Sequence, residues 1–425
     1  MKSQIISSRT ICRVCGHSLI PILSLGDLYV SDFVDGDQND GREKFPLDLV
    51  LCNEKDGGCG LLQLKDTVSH ESIYRNYWYR SGINKTMTEE LEGIAHRAET
   101  IINLREGDIV IDIGSNDSTL LRGYTTQKIR LMGFEPAKNL MEYARDGVTE
   151  IMNDFFNYEL WKEKFGDEKA KIVTAIAMFY DLEDPNKFVS DVVKSMDENG
   201  IFIIQMSYLL LMLSENAFDN ICHEHLEYYS LLSLENLLRR NNLEVFDVEL
   251  NDVNGGSFRI YIKHVGKGEK INIPAGAGIR LESLRDYEKK LGLSDRKIYD
   301  DFVVRVEALK RKIHDFVSGE TAKGKKVYVY GASTKGNTLL QYCNLDKNLI
   351  SAAVEKNSTK WGKKTVCTMI PIISEAQARK EKPDYFLVLP WHFMKEFIER
   401  EEEFLKNGGK FIVPLPEFKI ISDEY

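Results

Sequence analysis

The chain has 425 residues, 43% of them hydrophobic and 29% charged, with a formal net charge of −10; this length calls for two to four domains, each with its own core, and the composition is ordinary for soluble globular protein. The acidic balance argues against nucleic acid as the main partner, because that binding rests on Lys and Arg meeting phosphates. No apolar run nears the ~20 residues of a bilayer span, and the opening MKSQIISSRTICR lacks the extended apolar core of a signal peptide, so a cytoplasmic protein without a membrane partner is expected, its seven cysteines thiols or metal ligands rather than disulfides.

The first predicted element is a metal knot. Cys12 and Cys15 stand in CRVC, Cys52 and Cys59 in CNEKDGGC. Four thiolates satisfy a tetrahedral zinc ion and leave no open position for water, so the site is structural rather than catalytic. His17 could compete as a ligand, but the cysteines complete the set. The aromatic segment YRNYWYRSGINKTM, residues 74–87, follows.

Residues 107–121, GDIVIDIGSNDSTLL, put a β-branched run at Ile109, Val110, Ile111 and Ile113 ahead of a turn at Gly114, Ser115, Asn116 and Asp117. That is the pattern of a buried parallel strand presenting a ligand-binding turn at its carboxyl end. A second strand in KIRLMGFEP ends at Glu135, where a carboxylate can accept hydrogen bonds from both hydroxyls of a ribose. The third, in EIMNDFF, brings Asp154 and Phe155 to face an adenine ring. KIVTAIAMFYDLEDP and GIFIIQMSYL supply the fourth and fifth. This strand–acid–strand spacing resembles the class I S-adenosylmethionine-dependent methyltransferases. The GxGxxG of a dinucleotide dehydrogenase is missing, and GSNDS also departs from the commoner GxGxG methyltransferase loop. The candidate S-adenosylmethionine contacts are Tyr77, Asp112, Gly114, Ser115, Asn116, Asp117, Glu135, Pro136, Asp154, Phe155 and Met178. A doubly wound domain without a cofactor is the alternative.

Residues 217–230, AFDNICHEHLEYYS, gather Cys222, His223, Glu224 and His225. Imidazole titrates near neutral pH and suits proton abstraction. A neighbouring carboxylate can orient the ring and stabilise the imidazolium. Two histidines two positions apart do not share a helix face, which disfavours a helical metal pair. A polar loop of satisfied histidines is the bland alternative. The setting, after a fifth strand of a cofactor fold and before the helix in SLLSLENLLRRN, favours catalysis.

Beyond it, Gly255, Gly256, Ser257 and Arg259 read as a tight hairpin, with Arg259 either meeting substrate or pairing with an acid. Ile279–Leu291 and Asp295–Val317 read as connecting helices with one apolar stripe each. KKVYVYGASTKGNTLLQY is another strand–turn–helix, with Val327 and Val329 alternating inward. The backbone N–H groups at Gly331–Thr334 form a natural phosphate cradle, to which Lys335 adds a point charge. LISAAVEKNSTKWG repeats the unit with Glu355 and Lys356 at the strand end, and DYFLVLPWHF ends at Pro390, Trp391 and His392. These ends share one edge of a parallel sheet, where ligands bind. The Gly spacing is not GxGxxG, which disfavours NAD; a purely structural dimerisation domain is the alternative.

The CxxC pair, DIGSND, HEHLEYYSL, NGGSFRIYI, YGASTKGNTLLQY and EKNSTKWGKKT occur in the order seen in one bacterial family. Across almost the whole chain the sequence resembles the sugar C-methyltransferases of deoxysugar biosynthesis, which methylate C-3 of nucleotide-linked 4-keto-6-deoxyhexoses. The resemblance implies an α/β protein in three parts. These are a small zinc-binding domain (1–82), a class I methyltransferase Rossmann-like domain that binds S-adenosylmethionine (83–267), and a second Rossmann-like domain that binds the nucleotide sugar (268–425). The sugar would lie between them. The family's HEH residues carry over onto Glu224 and His225, with His225 as general base and His223 and Cys222 as further catalytic candidates. The substrate candidates are Tyr79, Ser81, Tyr208, Tyr229, Arg259, Gly331, Ser333, Thr334, Lys335, Asn337, Glu355, Lys356, Trp391 and His392. Two positions depart from the family: Cys222 stands where Tyr is frequent, and Asp181 where His is common. The expected enzyme, a monomer or homodimer, abstracts a proton from a nucleotide-diphosphate keto-deoxysugar and methylates the enolate, with zinc purely structural. Sugar O- or N-methylation, or a non-catalytic nucleotide-sugar-binding protein, are the alternatives.

Overall fold

The computed structural model describes residues 6–36 and 42–423. Its centre is a seven-stranded sheet in the order 243–251, 257–264, 196–207, 170–176, 109–113, 130–134, 150–152. The five strands from 109–113 to 196–207 run parallel, and the hairpin 243–251/257–264 is antiparallel. Every residue of Ile109–Ile113 is buried, because a central parallel strand is covered on both faces. On one face lies the helix Lys85–Ile101, which buries Leu91, Ile94, Ala95, Ala98 and Ile101 at helical spacing. Asn84 caps it by accepting from Thr86 N. The expected doubly wound sheet and its antiparallel end are therefore present.

The N-terminal sheet has four antiparallel strands, and one of them comes from far along the chain. Its order is Glu227–Tyr228, Leu62–Leu64, Lys44–Leu51, Ile20–Tyr29. The residues directly after HEH thus pair with the cysteine module: Glu227 lies opposite Gln63 and Tyr228 opposite Leu62.

The third sheet runs 372–374, 352–355, 327–330, 385–388, 410–413, 419–421, parallel except at its last strand. All four residues of Val327–Tyr330 are buried, not only the two valines, because this strand too is central. The connecting helices run Ala277–Leu291 and Arg296–Ala322. The modules interlock again where Phe33–Val34 pairs with Lys364–Thr365, and where Gln341 exchanges hydrogen bonds with the backbone of Tyr29. One continuous apolar core runs from Cys12 to Leu415. Among the described residues no helix is long and apolar enough to cross a membrane.

Candidate active site

The metal cluster is compact. The sulfurs of Cys12, Cys15, Cys52 and Cys59 lie within 4.8 Å of one another, with Cys12 to Cys59 at 3.6 Å and Cys15 to Cys52 at 3.2 Å. Zinc–thiolate bonds of ~2.3 Å set tetrahedral sulfurs ~3.8 Å apart, so the donor set fits zinc. His17 is outside this group. Backbone and side-chain donors surround the sulfurs: Val14 N and Gln63 Nε2 approach Cys12, and Cys59 N approaches Cys52. Gly58 is obligatory, since a Cβ there would stand 2.6 Å from the Cys52 sulfur. The module docks on the central domain through Asn186 Nδ2, which donates to the carbonyls of Arg13 and Val14.

The carboxyl edge of the central sheet carries the cofactor candidates. Gly114 has φ +71°, and a Cβ there would meet Met178 at 3.0 Å, so glycine permits both the left-handed backbone and the close packing of Met178. Asn116 and Ser118 also hold positive φ, strain of the kind that collects at ligand clamps. The Glu135 carboxylate accepts one bond from Asn116 N (2.8 Å) and one from Ala137 N (2.7 Å). Each oxygen keeps a lone pair for a ribose hydroxyl. Burial pushes this group up to about 7. Ser115 Oγ is buried without a partner. The Glu135 carboxylate, with one lone pair free on each oxygen, thus stands beside the turn, while the Ser115 hydroxyl is packed against Gly133.

Other expected contacts have different duties. Asp112 is buried under Thr174 Oγ1 (2.6 Å), and burial raises it to about 7. The side chains of Asn116 and Asp117 clasp the linker, accepting from Ser81 N and Gly82 N, while Asn116 Nδ2 donates to Tyr79 O. They hold Tyr79 and Ser81 in place rather than facing open space. Tyr77 is fixed by exchange with Asn139. Asp154 is exposed and pairs with Arg75, whose guanidinium covers the Phe155 ring at 4.9 Å. Pro136 follows Glu135 on the same edge, partly buried.

The HEH segment is buried throughout. His225 Nδ1 lies 2.9 Å from Asn220 O. A carbonyl only accepts, so Nδ1 carries the proton and Nε2 is left as the acceptor; Nε2 has no hydrogen-bond partner among the described residues. Burial, and then the Lys335 charge, lower this imidazole to about 3, so the ring is neutral at physiological pH. Tyr180 packs on it with centroids 4.3 Å apart. The expected carboxylate support from Glu224 is absent, because the Nδ1 partner is the Asn220 carbonyl. Glu224 instead buries an unpaired Oε2, and desolvation raises its pKa. His223 was expected among the catalytic groups, but its Nε2 is 3.1 Å from Phe45 O and its ring meets Phe45 edge-on. It docks the loop on the N-terminal sheet.

Around His225 the fold collects charged and polar groups from three modules. Lys335 Nζ donates to Asn220 Oδ1 at 2.5 Å. Trp391 Nε1 donates to Asp219 Oδ2 at 3.1 Å, and Tyr74 OH donates to the Glu224 carbonyl at 3.1 Å. Asp181 buries an unpaired Oδ1, and burial drives its pKa well up. Desolvation does the same to the Cys222 thiol. His392 is lowered to about 3 by burial and by Lys335. Sequence reasoning missed Asp219, Asn220, Tyr74 and Tyr180. The polar pair Asp219–Asn220, just upstream of the HEH in a short 3-10 turn, was the available signal.

Three of the expected substrate contacts, Tyr208, Arg259 and Asn337, are engaged elsewhere, and a fourth, Tyr229, is buried with its hydroxyl lacking a hydrogen-bond partner among the described residues. The Tyr208 hydroxyl donates to Glu288 (2.7 Å), which caps the helix Leu231–Arg239. Tyr229 is fully buried near Glu227, Cys12 and Cys59. Arg259 pairs with Glu90 and Glu249 and bonds Gln205. Asn337 Nδ2 donates to Asp32 O, although its Oδ1 stays unpaired. On the C-terminal edge, Gly331 holds φ +85° against Pro390, Ser333 caps the helix Thr334–Tyr342 by accepting from Gly336 N, and Thr334 opens that helix, partly buried. Glu355 accepts from its own loop and from Lys360, and Lys356 is exposed.

Three family models match: "Putative zinc binding domain" over residues 12–74, "Methyltransferase domain" over 83–248 and "C-methyltransferase C-terminal domain" over 252–416. The chain is 33% identical to C-methyltransferase NovU of Streptomyces niveus, over 97% of each chain. Among solved structures, it is similar to an S-adenosylmethionine-dependent methyltransferase of Clostridium acetobutylicum (12% identity, 42% of this chain and 92% of that one, TM-score 0.34). It is also similar to magnesium protoporphyrin IX methyltransferase of Synechocystis with bound SAH (10%, 42% and 87%, TM-score 0.33).

Proposed function

The chain belongs to the C-methyltransferase family, an S-adenosylmethionine-dependent enzyme with a zinc-binding N-terminal domain, and from that premise we propose that it methylates a carbon beside the ketone of a nucleotide-diphosphate keto-deoxysugar, at C-3 of a 4-keto sugar, with His225 as the base. The observation that carries the reading is the His225 ring: neutral, proton on Nδ1, Nε2 without a partner among the described residues, at the meeting of three modules.

Gly114, Ser115 and Glu135 would hold S-adenosylmethionine, which when bound supplies a sulfonium-activated methyl group that a carbon nucleophile takes. The chain's own residues do the rest. Asn220 O fixes the imidazole tautomer, and Nε2 accepts the proton from the carbon next to the carbonyl. The buried surroundings exclude water, which strengthens each polar contact. The turn at Gly331–Thr334 and the groups near Glu355 lie on the edge where the nucleoside diphosphate is to be held. The domain limits at 82/83 and 267/268 belong to the same reading.

The test uses carbon-13-methyl S-adenosylmethionine with thymidine-diphospho-4-keto-6-deoxyglucose. A labelled methyl bonded to the ring carbon beside the carbonyl, with loss of that carbon's proton, is the expected product. A labelled methoxy or N-methyl group would overturn the reading.

A further inference from the structure

A neutral imidazole whose protonated form is disfavoured by burial and by a nearby cation is a weak base. Proton removal from carbon then depends on stabilising the charge that develops on the carbonyl oxygen. Lys335 is placed for this. It sits in the first turn of the helix Thr334–Tyr342 and reaches Asn220 Oδ1, while the same Asn220 holds His225 through its backbone carbonyl. One residue therefore binds the base with one oxygen and the ammonium with the other.

Lys335 makes no salt bridge among the described residues. Asp219 has one oxygen engaged by Trp391 and the other buried without a hydrogen-bond partner. Its ammonium has three N–H donors and one hydrogen-bond partner among the described residues, so two remain for a ligand. The side chain is surrounded by protein yet keeps accessible surface, as a group facing a ligand must. Asp181, Cys222 and His392 all feel its charge. The cation belongs to the base's neighbourhood, whereas Glu355, Lys356 and Lys360 surround a different strand end.

We propose that Lys335, carried by the C-terminal module, contacts the substrate's carbonyl oxygen and stabilises the enolate, instead of binding the diphosphate. This rests on the reading of His225 and a keto sugar given above. In the step, the C–H electron pair becomes a carbon–carbon double bond, the carbonyl π pair moves onto oxygen, and the proton goes to His225 Nε2. A Lys335 N–H donates to that oxygen. The carbonyl re-forms as the carbon is methylated.

The experiment follows deuterium wash-in by proton NMR. Thymidine-diphospho-4-keto-6-deoxyglucose is incubated in heavy water with S-adenosylhomocysteine and the full-length enzyme, as wild type, Lys335→Met, Lys335→Gln or His225→Asn. Affinity for thymidine diphosphate is measured by calorimetry on each. Wild type exchanges the ring proton beside the carbonyl. Lys335→Met slows exchange by at least ~100-fold, the scale of losing one oxyanion contact, with thymidine diphosphate affinity within about threefold of wild type. Lys335→Gln provides the same comparison if the methionine variant does not fold. Exchange near the wild-type rate in a folded Lys335 variant overturns the assignment, as does a loss of thymidine diphosphate affinity with exchange intact at saturation. If wild type binds the probe and exchanges nothing, the enolate reading fails and this proposal with it; that result differs from a failure of Lys335 alone, in which both enzymes exchange.

Discussion

The cofactor edge and the base loop are both polar ends of strands, yet they are built by different means. At the cofactor edge the turn at Gly114–Asp117 and the acid Glu135 come from consecutive strands of one sheet and are bonded to each other, while the side chains of Asn116 and Asp117 also hold the linker at 79–82. The base loop keeps local bonds, such as His225 to Asn220, but is also tied to remote partners in other modules: Phe45 for His223, Gln63 for Glu227, Lys335 for Asn220 and Trp391 for Asp219. A site assembled within one βαβ unit can form alone. A site assembled between modules depends on each of them, including the metal-bound one.

The sharpest way to break this contrast is to remove zinc. A structural zinc site contributes on the order of 10 kcal/mol to its module, and that module supplies the strand that pairs with Glu227 and Tyr228. Chelation is expected to lower the melting temperature and abolish methyl transfer. S-adenosylhomocysteine affinity, measured by calorimetry on the same sample, should stay within a few-fold. Equal loss of both would show that the two regions are not separable.

A smaller effect separates them by pH. His223 is lowered to about 4 by burial against the N-terminal sheet. The folded state keeps it neutral and the unfolded state protonates it near 6.5, so its stability is present above pH ~6.5 and lost as pH falls toward 4. Between pH 7 and 5 this amounts to about 2 kcal/mol, at ~1.4 kcal/mol per unit. His223→Gln should remove that part of the difference in urea titrations at the two pH values. An unchanged difference would contradict the docking role.

At the cofactor edge the pKa shift is upward instead of downward, and the quantity that follows pH is cofactor affinity rather than stability. Glu135 is raised to about 7, and ribose hydroxyls favour its ionised form. S-adenosylhomocysteine affinity should therefore rise as pH goes from 6 to 8, by up to about tenfold, and become flat in Glu135→Gln. A flat wild-type profile would remove Glu135 from the site. The smallest effect is expected at Tyr208: Tyr208→Phe deletes one buried hydrogen bond to Glu288, costs about 1 kcal/mol of stability, and leaves KM for the keto sugar unchanged. A raised KM would return Tyr208 to the substrate contacts.

The same contrast explains what could be read from the residues alone. The strand–turn–acid pattern names Gly114 and Glu135 because its partners are near in sequence, and the cysteine spacing names its cluster for the same reason. Tyr208, Tyr229, Arg259 and His223 look like site residues by type and position. The partners of Tyr208, Arg259 and His223 are Glu288, Glu90 and Phe45, and Tyr229 is buried near the cysteine knot; all of these lie between roughly 80 and 220 positions away. Nothing local states which way such a side chain turns. Lys335 is the converse: its placement in a phosphate-like turn suggested a diphosphate, and only the contact with Asn220 moves it to the base.

The most direct measurement of the central claim is methyl transfer by His225→Asn with a keto-deoxysugar nucleotide, alongside calorimetric binding of S-adenosylhomocysteine. The account predicts turnover reduced by about 10³-fold, within the range of general-base loss, with S-adenosylhomocysteine affinity unchanged. Turnover at the wild-type rate would contradict it.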